Sequence, residues 1–225
     1  MSKILRRSGN AVTQYCDVIG WQPQAIYMVG VGMHHEETTV FRECWPDTEL
    51  YGWEANPEVY KSVKDAFPGI IHSKAISSYD GTIKVHCRHN WKDGGTVYAG
   101  HDRCRTVDVA CTTLDRCLCL PKSPRGLLWL DCEGSELAAI VGGRNFIEDR
   151  VAMVNVELTG NPRVPDWPTP ERIHAELMQL GFLQAWIHSI RPSIAQCDAV
   201  YVRRDLFNPA YCCVPDSIIR HRDGS

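Results

Sequence analysis

The stretch Ala25-Ile26-Tyr27-Met28-Val29-Gly30-Val31-Gly32 decides how the rest of the chain is read. A short apolar run bounded by glycine reads as a buried strand, and the glycines stand where backbone must curl tightly or approach a ligand. A helical stretch is expected from about Glu36 to Trp45, closed by Pro46. Glu49 to Glu54 then reads as a second strand ending on an acid, about twenty residues after the glycines.

The alternation continues outward. Asn56 and Pro57 supply an N-cap and a first helical residue for a helix through about Phe67, ended by Pro68-Gly69. Ile70 to Ile76 reads as the third strand. Residues 77–110 differ: Asp80-Gly81 and Gly94-Gly95 punctuate β-rich pieces such as Thr82 to Cys87 and Thr106 to Cys111, a strand-and-loop insertion. Order resumes with a strand at Gly126 to Leu130, a helix from Glu133 to Val141 stopped by Gly142-Gly143, and a strand at Val151 to Leu158. A Pro-rich loop follows. Thr169-Pro170-Glu171 caps a helix to about Leu180, and Leu183 to Ile187 and Asp198 to Arg203 supply two last strands. Strands alternating with helices predict a doubly wound, Rossmann-like α/β fold, a mostly parallel sheet with helices on both faces. The expected organisation is an N-terminal helical extension over 1–24, one α/β domain over 25–204 and a polar tail over 205–225.

Composition narrows the function. The 225 residues carry a formal net charge of -3, so phosphate-backbone attraction to nucleic acid is not favoured. The N-terminus lacks the apolar core of a signal peptide, and no apolar run approaches the ~18 residues of a membrane span. A cytoplasmic protein is the expectation. Eleven cysteines occur without any C-x-x-C, so most are read as small buried apolar residues rather than zinc ligands or disulfides.

Gly30, Gly32 and Glu54 together suggest a nucleoside site, with the acid on the ribose hydroxyls. A dinucleotide would want a third glycine and a helix start free of acids, whereas Glu36 and Glu37 stand at this one. S-adenosylmethionine has no phosphate and carries a sulfonium and an ammonium, so an acidic, glycine-containing loop suits it better than NAD.

Four segments carry a resemblance to a known family: Val29-Gly30-Val31-Gly32; Trp53-Glu54-Ala55-Asn56-Pro57; Lys74-Ala75-Ile76-Ser77; and Leu130-Asp131-Cys132-Glu133-Gly134-Ser135-Glu136. Thr113-Leu114-Asp115 and Asn155-Val156-Glu157-Leu158 support them. The chain resembles the FkbM-type branch of class I S-adenosylmethionine-dependent methyltransferases over about residues 25–203. The resemblance implies a seven-stranded sheet with its last strand antiparallel, and O-methylation of a hydroxyl on a sugar or small metabolite. It places Gly30 and Gly32 at the methionine part of the donor, Glu54 at its ribose, and Ala75 and Ile76 beside its adenine. Met28, Gly32, His34 and Trp129 replace the Asp, Asn, Gly and Lys that family members usually carry at those places.

Methyl transfer to an alcohol needs an acceptor oxygen held in line and a group to take its proton. Asp131, at the end of the fourth strand, is the first candidate, as an acceptor-side or donor-ammonium contact. Glu157 could join it to orient a hydroxyl or hold a divalent ion, which two carboxylates alone do not make convincing. Glu133 and Glu136 read equally well as helix-capping acids. His34, just after the glycine loop, is the imidazole candidate, beside His35; His101 and His188 are weaker. Trp91, Tyr98, Trp167 and Trp186 could wall an acceptor pocket. Two other readings stay open: an NAD(P)-dependent oxidoreductase, and a non-catalytic Rossmann-like binding module.

Overall fold

A computed structural model of the chain describes residues 8–33, 36–88, 95–96, 104–117, 125–159, 167–191 and 196–211. Helix α1 (Ser8–Ile19) leads into β1 (Ala25–Val29), α2 (Glu36–Cys44), β2 (Glu49–Glu54), α3 (Pro57–Val63) and β3 (Ile70–Ser73). Next come β4 (Ala75–Ile76), β5 (Gly81–Arg88), β6 (Gly95–Thr96) and β7 (Cys104–Thr112). The chain finishes through β8 (Gly126–Leu130), α4 (Glu136–Val141), α5 (Arg144–Arg150), β9 (Val151–Thr159), α6 (Pro170–Gln179), β10 (Phe182–Arg191) and β11 (Gln196–Arg203).

Seven strands form one sheet in the order β10-β11-β9-β8-β1-β2-β3. Neighbours from β9 to β3 are parallel, and β11 runs antiparallel to both β9 and β10. The expected mostly parallel sheet with an antiparallel last strand is therefore present. Alternate side chains divide between two cores. Tyr27, Val29, Leu128, Leu130 and Val156 pack with Phe146 of α5 and Leu177 of α6. Ile26, Met28, Leu127, Trp129 and Met153 turn the other way, against Val12 of α1, Phe41 of α2 and Val59 of α3. Burial on both faces is why β1 and β8 read as unbroken apolar runs. Helix α1 is part of this packing: Val12 and Cys16 are fully buried, and Cys16 Sγ lies 3.8 Å from Met153 Sδ.

The structure corrects several local expectations. The strand read over Ile70 to Ile76 divides at Lys74: β3 stays in the main sheet, while Ala75 and Ile76 pair in parallel with Cys111 and Thr112 of β7. A β-rich run does not name its partner, and here the insertion supplies a second one. That insertion forms a four-stranded sheet, β4-β7-β5-β6, closed by a small core of Ala75, Val85, Cys87, Val109 and Cys111. The helix read from Glu133 begins only at Glu136, because Glu133 and Gly134 have φ of 51° and 101°, left-handed values that cannot extend a right-handed helix. Helix α3 stops at Val63 rather than near Phe67. The cysteines are also less uniform than expected. Cys16, Cys87 and Cys111 are buried, Cys117, Cys132 and Cys197 partly so, and Cys44 is exposed, all as free thiols. Among the described residues no helix is long and apolar enough to cross a membrane.

Candidate active site

The carboxyl ends of the parallel strands, where ligands of open α/β sheets bind, carry the residues singled out from the sequence. The Gly30 N–H donates to the Trp53 carbonyl at 2.9 Å, and the Asp131 N–H donates to the Val29 carbonyl at 3.0 Å. These bonds, with the pairing of Leu130 with Val156 and of Glu157 with Asp198, set Glu54, Gly30, Asp131, Glu157 and Asp198 at one level across five strands. One pleat behind stand Gly52, Met28, Trp129, Asn155 and Val200, aligned through their registers. Two of the departures from the family pattern thus fall in the packed layer: Met28 and Trp129 are 1% and 3% exposed, and Trp129 meets Phe41 edge-on at 5.4 Å.

The two glycines do different work. Gly30 has φ of 83°, and a Cβ there would lie 1.8 Å from the Asp131 carbonyl oxygen, so it is the contact between the β1 and β8 turns. Gly32 has φ of 68°, yet a Cβ would meet nothing within 4 Å, so its backbone is open to an approaching group. Glu54, 4% exposed, joins this loop to the next turn: Oε2 accepts from Gly32 N–H at 3.0 Å and Oε1 from Asn56 N–H at 2.7 Å. Burial pushes its carboxyl up, and these backbone donors pull it back. Asn56 caps α3 through Oδ1, which accepts from Glu58 N–H at 3.0 Å.

The turn after β8 is tied from within. Glu136 Oε1 accepts from the amides of Cys132 at 3.0 Å and Gly134 at 3.2 Å, so this acid shapes the turn. Burial raises its carboxyl to about 7, against the pull of those amides and with a push from Glu157. A carboxyl whose folded pKa exceeds its unfolded value binds its proton more tightly when folded. Its contribution is full below about 4.5 and is lost as pH climbs through about 7. Equilibrium urea unfolding should therefore give a midpoint that falls between pH 5 and pH 8 and falls less in Glu136→Gln, which keeps Oε1. Equal slopes would contradict the placement.

Asp131 is exposed at the C-terminal end of β8, with protein crowded around it. That crowding, and then negative charge on Glu157, Asp198, Glu133 and Glu136, holds its carboxyl well above the ordinary range. Because water still reaches the side chain, it moderates both the burial effect and the push of the neighbouring charges. Glu157, 8% exposed, is fixed by neutral donors: Thr159 Oγ1 to Oε1 at 2.8 Å and Gln196 Nε2 to Oε2 at 2.6 Å. On β10 the register partner of Asp198 is His188.

Ala75 and Ile76 are buried, the first in the small core and the second in the main one, so their side chains are spent on packing. His34, His35, Trp91, Tyr98 and His101 lie outside the described residues. Trp186 packs against the core on the other face, the one that holds Met28 and Trp129. Thr113-Leu114-Asp115 is scaffolding: Asp115 Oδ1 accepts from the Phe146 N–H at 2.8 Å and Oδ2 from Asn145 Nδ2 at 2.7 Å, capping the start of α5. Sequence reasoning missed Asp198, Asn155, Thr159 and Gln196. Alternation along β9 could have put Asn155, Glu157 and Thr159 on one face; the resemblance implies an antiparallel last strand, but local periodicity does not give the register that sets Asp198 beside Glu157. The insertion touches the site through Thr96, whose hydroxyl donates to the Glu133 carbonyl at 2.7 Å. Among the described residues no group of three or more His, Cys, Asp or Glu is arranged to hold a metal ion.

A family model described as the methyltransferase FkbM domain matches residues 29–183. A search of curated proteins returned no match. Among solved structures, a methyltransferase FkbM from Methylobacillus flagellatus aligns with a TM-score of 0.52 at 10% identity, over 80% of this chain and 43% of that one. This chain therefore spans less than half the length of that protein. A magnesium protoporphyrin IX methyltransferase from Synechocystis with bound S-adenosylmethionine aligns with a TM-score of 0.51 at 10% identity, over 88% of this chain and 79% of that one. Fibrillarin from Aeropyrum pernix, holding natively bound S-adenosylmethionine, gives 0.51 at 12% identity, over 85% of this chain and 74% of that one. At these identities the likeness is one of fold.

Proposed function

Because the chain belongs to the methyltransferase FkbM domain family, we propose that it binds S-adenosylmethionine at the β1–β2–β8 end of the sheet and methylates a hydroxyl oxygen of a sugar or small metabolite. One observation carries the reading: Glu54 and Asp131 flank Gly30 at one level of the sheet edge, and the open left-handed Gly32 is tied to that level by its N–H bond to Glu54. That set fits a nucleoside with a cationic centre. Glu54 offers acceptors to ribose hydroxyls, the Gly30–Gly32 backbone leaves room for the methionine portion, and nothing in the loop calls for a pyrophosphate. Family membership removes the ground for the nicotinamide alternative.

When bound, the donor supplies a methyl group on a sulfonium sulfur, open to in-line displacement by an acceptor oxygen. The protein's own work is to orient that oxygen and take its proton. Asp131, held above the ordinary carboxylate range by its surroundings, is a stronger base than a free carboxylate and is placed to receive the proton. Glu157, clamped by Thr159 and Gln196, orients the hydroxyl. No step is assigned to His34.

Incubation of the full chain with methyl-13C S-adenosylmethionine and a panel of hydroxylated acceptors tests this directly. The expected product carries its label on oxygen, read from the carbon shift. Label found on carbon or nitrogen would overturn the O-transfer assignment while leaving methyl transfer standing.

A further inference from the structure

The acid row extends past what a methyl donor requires. Asp131, Glu157 and Asp198 end or begin three adjacent strands on one face, at one level. Neighbouring strands lie about 4.8 Å apart, so the row runs roughly 10 Å from Asp131 away from Gly30 and Glu54. The donor has one net positive charge and occupies the near end. Glu157 and Asp198 stand one and two strands beyond, and the donors that hold Glu157 are neutral.

The second observation is independent of charge. Asn155, on the same face one pleat behind Glu157, is 1% exposed, and among the described residues neither its amide nitrogen nor its oxygen has a partner. Strand alternation directs it to the same side as Glu157, at the floor of the row. A buried polar group left unmet costs stability, a cost relieved when a polar ligand reaches that floor.

We propose that the acceptor carries a protonated amine, held by Glu157 and Asp198 beyond the hydroxyl that faces Asp131, with Asn155 bonding a polar group of the same molecule. The substrate class is then an amino alcohol or amino sugar rather than a neutral polyol. The proposal rests on the reading of the chain as a hydroxyl methyltransferase. An ammonium spreads three donors over neighbouring carboxylates, whereas a metal ion needs its ligands gathered at one point, an arrangement not found among the described residues.

Thermal unfolding of the full chain at low ionic strength, with and without S-adenosylhomocysteine, tests the proposal with matched probes. Ethanolamine is set against ethylene glycol, glucosamine against N-acetylglucosamine, and magnesium chloride is run alone. At least one amine should raise Tm saturably by roughly 3 °C, the shift that about tenfold excess over Kd gives a domain of this size. Its neutral partner should not. Asp198→Asn and Glu157→Gln should each remove most of the shift, with S-adenosylhomocysteine binding reporting that the variants are folded. Amines that do no better than their neutral partners overturn the proposal, as does a saturable magnesium shift that the same variants abolish. A chain that fails to bind S-adenosylhomocysteine would instead count against the methyltransferase reading, and the amine comparison without it is still read on its own.

Discussion

Gly30→Ala is expected to cost about 3 kcal/mol or more of unfolding free energy, measured by urea denaturation. Two penalties combine. A residue with a Cβ held at φ of 83° pays about 1–2 kcal/mol. The added methyl would also fall 1.8 Å from the Asp131 carbonyl oxygen, a backbone atom that cannot rotate away, and overpacking of this kind costs about 1–3 kcal/mol. Gly32→Ala is the internal control. It has a similar φ, 68°, but an empty surrounding, so only the conformational penalty applies and the loss should stay near 1–2 kcal/mol. Equal losses at the two positions would mean that the β1 and β8 turns are not in contact as described.

Asp131→Asn is expected to lower turnover by about 10²–10⁴-fold, the range for removing a positioned general base. S-adenosylhomocysteine affinity should change by less than about tenfold, because the ribose and loop contacts are untouched. Asparagine keeps the shape and removes only the charge and basicity. The wild-type rate should rise with pH as the elevated Asp131 carboxyl loses its proton, and the variant's rate should be flat over that limb. A variant that retains full turnover would remove Asp131 from the chemistry and shift attention to Glu157.

What the sequence made legible was what depends on local periodicity and backbone geometry. The apolar runs of β1 and β8, the acid ending β2 and the Asn56-Pro57 start of α3 all follow from short-range rules, and each lies where it was expected. Long-range pairing is a different kind of information. Ile70 to Ile76 looks like one strand because both halves have strand-like residues, and only the docking of β7 divides it. Asp198 went unread for the same reason, since its place beside Glu157 comes from β11 inserting antiparallel between β9 and β10. Glu136 shows the limit of motif reading. The D-x-E-G-x-E segment marks the family, but its last acid is consumed in holding the turn that presents Asp131.

The central claim is that Gly32 and Glu54 hold the donor beside Asp131, and isothermal calorimetry with S-adenosylhomocysteine tests it most directly. The full chain should bind one equivalent, and Glu54→Ala should weaken binding at least about tenfold, the loss expected when hydrogen bonds to a charged acceptor are removed. Absence of heat with the intact chain, or unchanged affinity in Glu54→Ala, would contradict it.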